Sequence, residues 1–263
     1  MIKKGFMITL LLLLVTACGS KASDDTVIRV SSHTEPMTTV LEIAKEVLAK
    51  DGYTLELVTV SDNAAANIAL NNKEIDANFF QHVPFMEMFN ETNNGTLVGI
   101  QPIYNAIVGF YSSTVDDIKD LPADATIAIP NDQVNQARAL MILSDAGLIK
   151  LKNGVTNNAT LKDVEDTTYT FQEVDLLTLT QVYPEVDLVF NYPTYIGKIG
   201  LTPLKDALIL EDMDSTYYAI SLVAREDNKD DVKIQKLKEA MTSQEVRDFL
   251  SNETNKATLV PSF

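Results

Sequence analysis

Arg138 is one of only four arginines in 263 residues, and it lies inside an apolar stretch. On a helix running to Ala146, its neighbours at i−4, i+3 and i+4 are Val134, Met141 and Ile142, so the guanidinium emerges from a largely apolar face. A planar fork in such surroundings suits two-point capture of a carboxylate. The same pattern also fits an arginine whose stem covers apolar surface while its head reaches water. A second cluster, Phe79-Phe80-Gln81-His82, falls where a strand ends and a helix begins with Val83-Pro84. A strand's carboxyl end beside a helix N-terminus accommodates a polar ligand group. Aromatic rings there could pack on an apolar side chain, although strand alternation turns one of the two phenylalanines into the core. His82 also fits the role of a helix cap.

Catalysis and metal chemistry find little to work with. The two histidines, His33 and His82, are far apart, and no nucleophile or zinc-protease signature is present. Asp and Glu are numerous but scattered, and Cys18 is the sole cysteine, so no metal set is expected. Glycine-rich phosphate loops are absent as well. The expectation is a non-enzyme with no catalytic residue, metal or cofactor.

Cys18 has a different chemistry. The chain begins Met1-Ile2-Lys3-Lys4, and residues 6–17 are then apolar or small apart from Thr9 and Thr16. This run is about 12 residues long, whereas a bilayer-spanning helix needs about 20, so 1–17 reads as a secretory signal peptide. Its end, Leu14-Val15-Thr16-Ala17-Cys18, resembles the lipobox of bacterial lipoproteins. That resemblance implies lipid attachment at Cys18, cleavage just before it, and a polar anchor and linker over 18–26. The protein would then sit lipid-anchored on the outer face of the cell membrane. Residues 1–17 carry two lysines and no acid, so the net charge of −16 becomes −18 without them. So acidic a chain repels phosphate backbones, which argues against nucleic-acid binding.

These residues need elements to hold them. Residues 27–30 form a short strand-like run, and Val40, Ile43, Ala44, Val47 and Leu48 recur at helical spacing after Pro36. Asp51-Gly52 ends that helix; 55–60 alternates as a strand, 64–70 is a small helix and 75–80 a further strand. Such a βαβαβ order implies a parallel sheet covered by helices. The pattern restarts with a strand at 126–129 and a helix that Asn131 or Asp132 caps and Gly147 stops. Strands follow at 169–174, 187–191 and 207–211, and helices over 231–241 and 243–250 close the chain. Two extended apolar runs, 103–112 and 217–224, join the blocks as crossover strands. The class is therefore α/β, with lobe 1 formed by 27–108 plus 222–263 and lobe 2 by 109–221. The strands' carboxyl ends border a cleft where such folds bind ligands.

Several stretches resemble the NlpA/MetQ family of lipoproteins. They are Asp76-Ala-Asn-Phe-Phe-Gln-His82, Ala128-Ile-Pro-Asn-Asp132 with Asn135 and Arg138-Ala-Leu140, Ala146-Gly-Leu-Ile-Lys-Leu151, and Glu211-Asp-Met-Asp-Ser215. The resemblance covers essentially the whole mature chain. It implies a two-lobed periplasmic-binding-protein type II fold and a monomeric substrate-binding protein of an ABC importer. Such a protein captures methionine or a related amino acid and hands it to a permease driven by an ATPase. By position, Arg138 would pair with the ligand carboxylate while Phe80 and His82 line the side-chain pocket. Phe79, Gln81 and Asn135 share those motifs and join the candidate ligand contacts.

The chain departs from the family at three places. The tyrosine the family carries after Thr59-Val-Ser-Asp62 is Asn63 here. The family's Asn-x-x-Tyr-Ala becomes Asn191-Tyr-Pro-Thr-Tyr195, so the ligand-binding asparagine is Asn191, displaced by one residue, or is replaced by Tyr192. A further asparagine, expected within 217–221, has no counterpart. A polar site that loses partners discriminates strongly, which leaves open another small carboxylate ligand, such as a dipeptide. A surface lipoprotein without a transport role is the alternative from a different class.

Overall fold

The computed structural model describes residues 25–60, 62–212 and 216–263. The expected signal peptide, Cys18 and most of the linker lie outside the described residues. The chain begins with β1 (Val27–Ser32), α1 (Met37–Lys50), β2 (Thr54–Thr59), α2 (Asn63–Asn71), β3 (Ala77–His82), α3 (Val83–Asn93) and β4 (Leu97–Ala106). Of the apolar spacing read from the sequence, Val40, Ala44 and Leu48 lie on the buried face of α1 together with Met37 and Leu41, while Ile43 and Val47 are half-buried at its edge. Each such leucine or valine contributes about 1.5–3 kcal/mol when fully buried. Asp62 starts α2 by accepting a hydrogen bond from the Ala65 N–H at 2.7 Å, which satisfies one of the helix's open donors. All six residues of β3 are buried; the strand lies between β10 and β1, and α2 and α3 pack against it.

The second block comprises β5 (Gly109–Tyr111), β6 (Thr126–Pro130), α4 (Gln133–Asp145), β7 (Thr170–Val174), β8 (Leu188–Asn191), α5 (Pro193–Ile196), α6 (Pro203–Asp206) and β9 (Ile209–Leu210). The chain finishes with β10 (Ile220–Arg225), α7 (Val232–Met241), α8 (Gln244–Leu250) and β11 (Leu259–Pro261). Two mixed sheets result, in the orders β11-β4-β10-β3-β1-β2 and β7-β6-β8-β5-β9. β1 pairs in parallel with β2 and β3, whereas β10 runs antiparallel between β3 and β4. The architecture is two-lobed α/β, and α7 and α8 pack back on α1 of the first lobe.

The crossovers differ in detail from the sequence expectation. Instead of one strand over 103–112, β4 and β5 belong to different sheets and break at Ile107 and Val108. There the Ile107 N–H donates to Thr258 O at 2.8 Å, one step beyond the β4–β11 pairing. Gly109 follows, and a Cβ on it would lie 2.4 Å from Ile209 O, so glycine is what lets β9 approach β5. The return strand β10 enters the first sheet at Ile220, two residues before 222. The expected strand over 207–211 is reduced to the two residues of β9. β11 was not legible in advance: three residues are too few to show alternation, and its partner β4 is far away in sequence.

Candidate functional site

β3 and α3 meet at His82, which is both the last residue of the strand and the N-cap of the helix. Its Nδ1 accepts a hydrogen bond from the Phe85 N–H at 3.2 Å. The proton therefore resides on Nε2, which faces Asn135 Oδ1 at 3.3 Å as donor. Burial pulls the imidazole pKa down to about 3, and the nearby charge of Arg138 pulls the same way. His82 is consequently neutral at physiological pH. This hydrogen bond ties β3 of the first lobe to α4 of the second.

Asn135 is oriented by the start of its own helix. Asp132 caps α4 by accepting from the Asn135 N–H at 2.9 Å, and its two oxygens also take the Asn135 Nδ2 at 3.0 and 3.1 Å. An ionised carboxylate only accepts, so the amide nitrogen turns toward Asp132 and Oδ1 toward His82. Burial raises the Asp132 pKa, and these hydrogen bonds oppose the rise. Asn135 Oδ1 also accepts from the Tyr192 hydroxyl at 2.7 Å. Burial pushes the Tyr192 pKa up, with Arg138 acting against it; the phenol stays protonated.

Arg138 lies one turn further along α4 and is 1% exposed. Neither the water-reaching head nor an open fork describes it. Nε and Nη2 donate to Glu211 Oε1 and Oε2 at 2.7 and 2.5 Å, and Nη1 donates to the Tyr192 hydroxyl at 2.7 Å. Its guanidinium also sits 4.3 Å from the Tyr218 ring centroid and 5.2 Å from that of Tyr192, a cation–π arrangement. Burial opposes the charge, but Tyr192 and Glu211 outweigh it and raise the Arg138 pKa. The arginine is deeply buried because α4 is covered on nearly all sides, with Asn135 through Leu140 all buried.

A cavity opens beside this network. Met37, Phe80, Phe85, Leu176 and Ile220 supply apolar wall, while Asn63, Gln81, His82, Asn135 and Tyr192 supply polar groups. None of its lining side chains is an Asp, Glu, Lys or Arg. The Asn63 amide oxygen is 2.7 Å from His33 Nε2, and the His33 ring lies 5.7 Å from that of Phe80. Gln81 is held from behind by buried amides: it accepts from Asn67 at 2.9 Å and donates to Asn78 at 2.9 Å.

The structure thus brings Asn63, Phe80, Gln81, His82, Asn135 and Tyr192 to one cavity. Arg138 stands behind the wall, joined to it through the Tyr192 hydroxyl. Phe79 is not in the wall. It is fully buried with its ring edge-on to Tyr104. Asn191 is also set apart: its Nδ2 donates to Thr180 Oγ1 and its Oδ1 accepts from the Tyr192 N–H, both at 3.1 Å. Glu211 and Tyr218 were missed as members of the site. A family motif contains Glu211, yet nothing in its local spacing points toward α4.

The family model for NlpA lipoprotein matches residues 28–263. The methionine-binding lipoprotein MetQ of Bacillus subtilis (strain 168) is 35% identical over 269 residues, spanning 98% of each chain. The crystal structure of a YaeC-family lipoprotein from Enterococcus faecalis V583 is 45% identical, with a TM-score of 0.81, covering 90% of this chain and 100% of that one. An ABC transporter periplasmic substrate-binding protein from Coxiella burnetii is 32% identical, with a TM-score of 0.83, covering 89% of this chain and 100% of that one.

Proposed function

The chain belongs to the NlpA lipoprotein family, and from that premise we propose that it is the extracytoplasmic substrate-binding lipoprotein of an ABC importer. It captures methionine or a related amino acid between its lobes and delivers it to the permease, whose partner ATPase drives uptake. The observation that carries this reading is the interlobe cavity. Its wall divides into an apolar part suited to a side chain and a polar part backed by a buried arginine, as pockets for small amphiphilic ligands do. The similarity to a methionine-binding lipoprotein over 98% of the chain supports the ligand class.

In this reading the bodies that close on the ligand are 27–108 with 222–263 and 109–221. They hinge where the chain changes sheets, and such hinges absorb backbone rotation at a few residues. The His82–Asn135 hydrogen bond, together with that from Thr194 Oγ1 to Glu35 O at 3.1 Å, holds the closed form. Ligand contacts fall to Phe80, His82, Gln81, Asn63, Asn135 and Tyr192, with Arg138 as the carboxylate anchor. The ligand leaves unchanged, since the protein is not an enzyme, and a monomer suffices. Lipid on Cys18 keeps the protein at the outer membrane face beside its permease, raising the local concentration for transfer.

Calorimetry with free amino acids and short peptides tests the proposal, repeated on Arg138→Ala. Loss of a charge-assisted pair weakens binding by about 1.5–3 kcal/mol, roughly tenfold to a hundredfold. An Arg138→Ala variant that binds as tightly as the parent removes the carboxylate assignment. Preferential binding of dipeptides would replace the amino-acid reading with that of another small carboxylate.

A further inference from the structure

Arg138 already holds a carboxylate, and it belongs to the protein. Glu211 occupies the Nε–Nη2 edge of the guanidinium through both of its oxygens. Nη1 is engaged by the Tyr192 hydroxyl, and Tyr192 stands in the cavity wall. Tyr192 is poorly placed to leave: it is 7% exposed, its hydroxyl also donates to Asn135, and its ring packs edge-on against Phe190 and Tyr195. The Glu211 side chain is 15% exposed. Its backbone is fastened by the hydrogen bond from its N–H to Val108 O at 3.1 Å, so release of its carboxylate falls to the side chain.

A ligand carboxylate reaching the same guanidinium would put two like charges on one buried cation, and each disfavours the other. We infer that Glu211 is an intramolecular competitor for Arg138, a specificity-determining residue that weakens the capture of carboxylate-bearing ligands and leaves ligands without a carboxylate unaffected. This inference rests on the amino-acid reading proposed above. It adds that the affinity for such ligands is set by exchange of one carboxylate for another. Closure onto a ligand and release of Glu211 are therefore coupled events.

The test uses the intact lipoprotein in detergent and its Glu211→Gln variant, titrated with L-methionine and with L-methionine amide. The glutamine keeps the shape and removes the charge. Methionine affinity is expected to rise about tenfold or more, equivalent to one carboxylate's worth of competition, while affinity for the amide stays level. Weaker or unchanged methionine binding overturns the inference, as does an equal change for both ligands. If neither protein binds methionine, the ligand assignment fails and a second arm decides the competition alone. There, thermal unfolding of Glu211→Ala is followed in sodium acetate against sodium chloride at equal ionic strength. A rise in unfolding temperature with acetate, absent in the parent, shows that the vacated fork takes a free carboxylate. Its absence overturns the inference.

Discussion

His82 makes the fold sensitive to acid by an amount that can be worked out. In the folded chain its pKa is lowered from 6.5 to about 3, first by burial and then by Arg138. In the unfolded chain the imidazole has its ordinary value. Between these two pH values the unfolded state binds a proton that the folded state does not, so stability falls as pH falls. The loss begins near the unfolded pKa and continues until about pH 3. Going from pH 7.5 to pH 5.0, a single site of this kind removes about 2 kcal/mol.

The assay is denaturant unfolding of the parent and of His82→Gln at both pH values. Glutamine retains an acceptor for the Phe85 N–H and a donor for Asn135, but does not titrate. Asp132, whose pKa is raised by burial, and the other carboxylates respond to pH in both proteins and drop out of the difference. The parent should therefore lose about 2 kcal/mol more than the variant on acidification. Equal losses would refute the reasoning, because His82 would then be taking up its proton in the folded state as readily as in water.

Two further perturbations probe the crossover and the tether. Gly109→Ala places a Cβ 2.4 Å from Ile209 O and 3.1 Å from the Ala207 Cβ, so β9 must move off β5; a loss of about 1–3 kcal/mol is expected, read as a lower thermal midpoint. An unchanged midpoint would show that the two strands separate freely. Cys18→Ser should keep ligand affinity while the protein is released from the membrane fraction and uptake falls. Equal retention and uptake in this variant would count against the lipid anchor.

Much of the fold was legible because it is written in local periodicity. The α1 stripe, the Asp132 cap of α4 and the restart of the strand–helix pattern near Thr126 each depend on residues a few positions apart. The family-like motifs located Phe80, His82 and Asn135, and the chain's departures from the family singled out Asn63 and Tyr192, all of which line the cavity; Arg138, from the same motifs, stands behind the wall. Where neighbours in sequence part company, local pattern was silent. Phe79 and Phe80 share a strand, but only the packing of the sheet decides which of them borders the cleft. Asn191 and Tyr192 were alternatives in sequence; in three dimensions Tyr192 lines the cavity while Asn191 turns to Thr180.

By itself, then, the sequence determined the α/β class and the placement of most elements, since both follow from residue type and short-range spacing. The state of Arg138 was decided by tertiary structure alone. Its partner Glu211 is 73 residues away and Tyr192 is 54 away. Such a pairing exists only after β5, β8 and β9 have assembled beside α4. An arginine inside an apolar run signals that a carboxylate is needed, and burial of a charge requires one. Whether that carboxylate comes from a ligand or from the chain itself depends on which side chains the closed fold delivers to the fork.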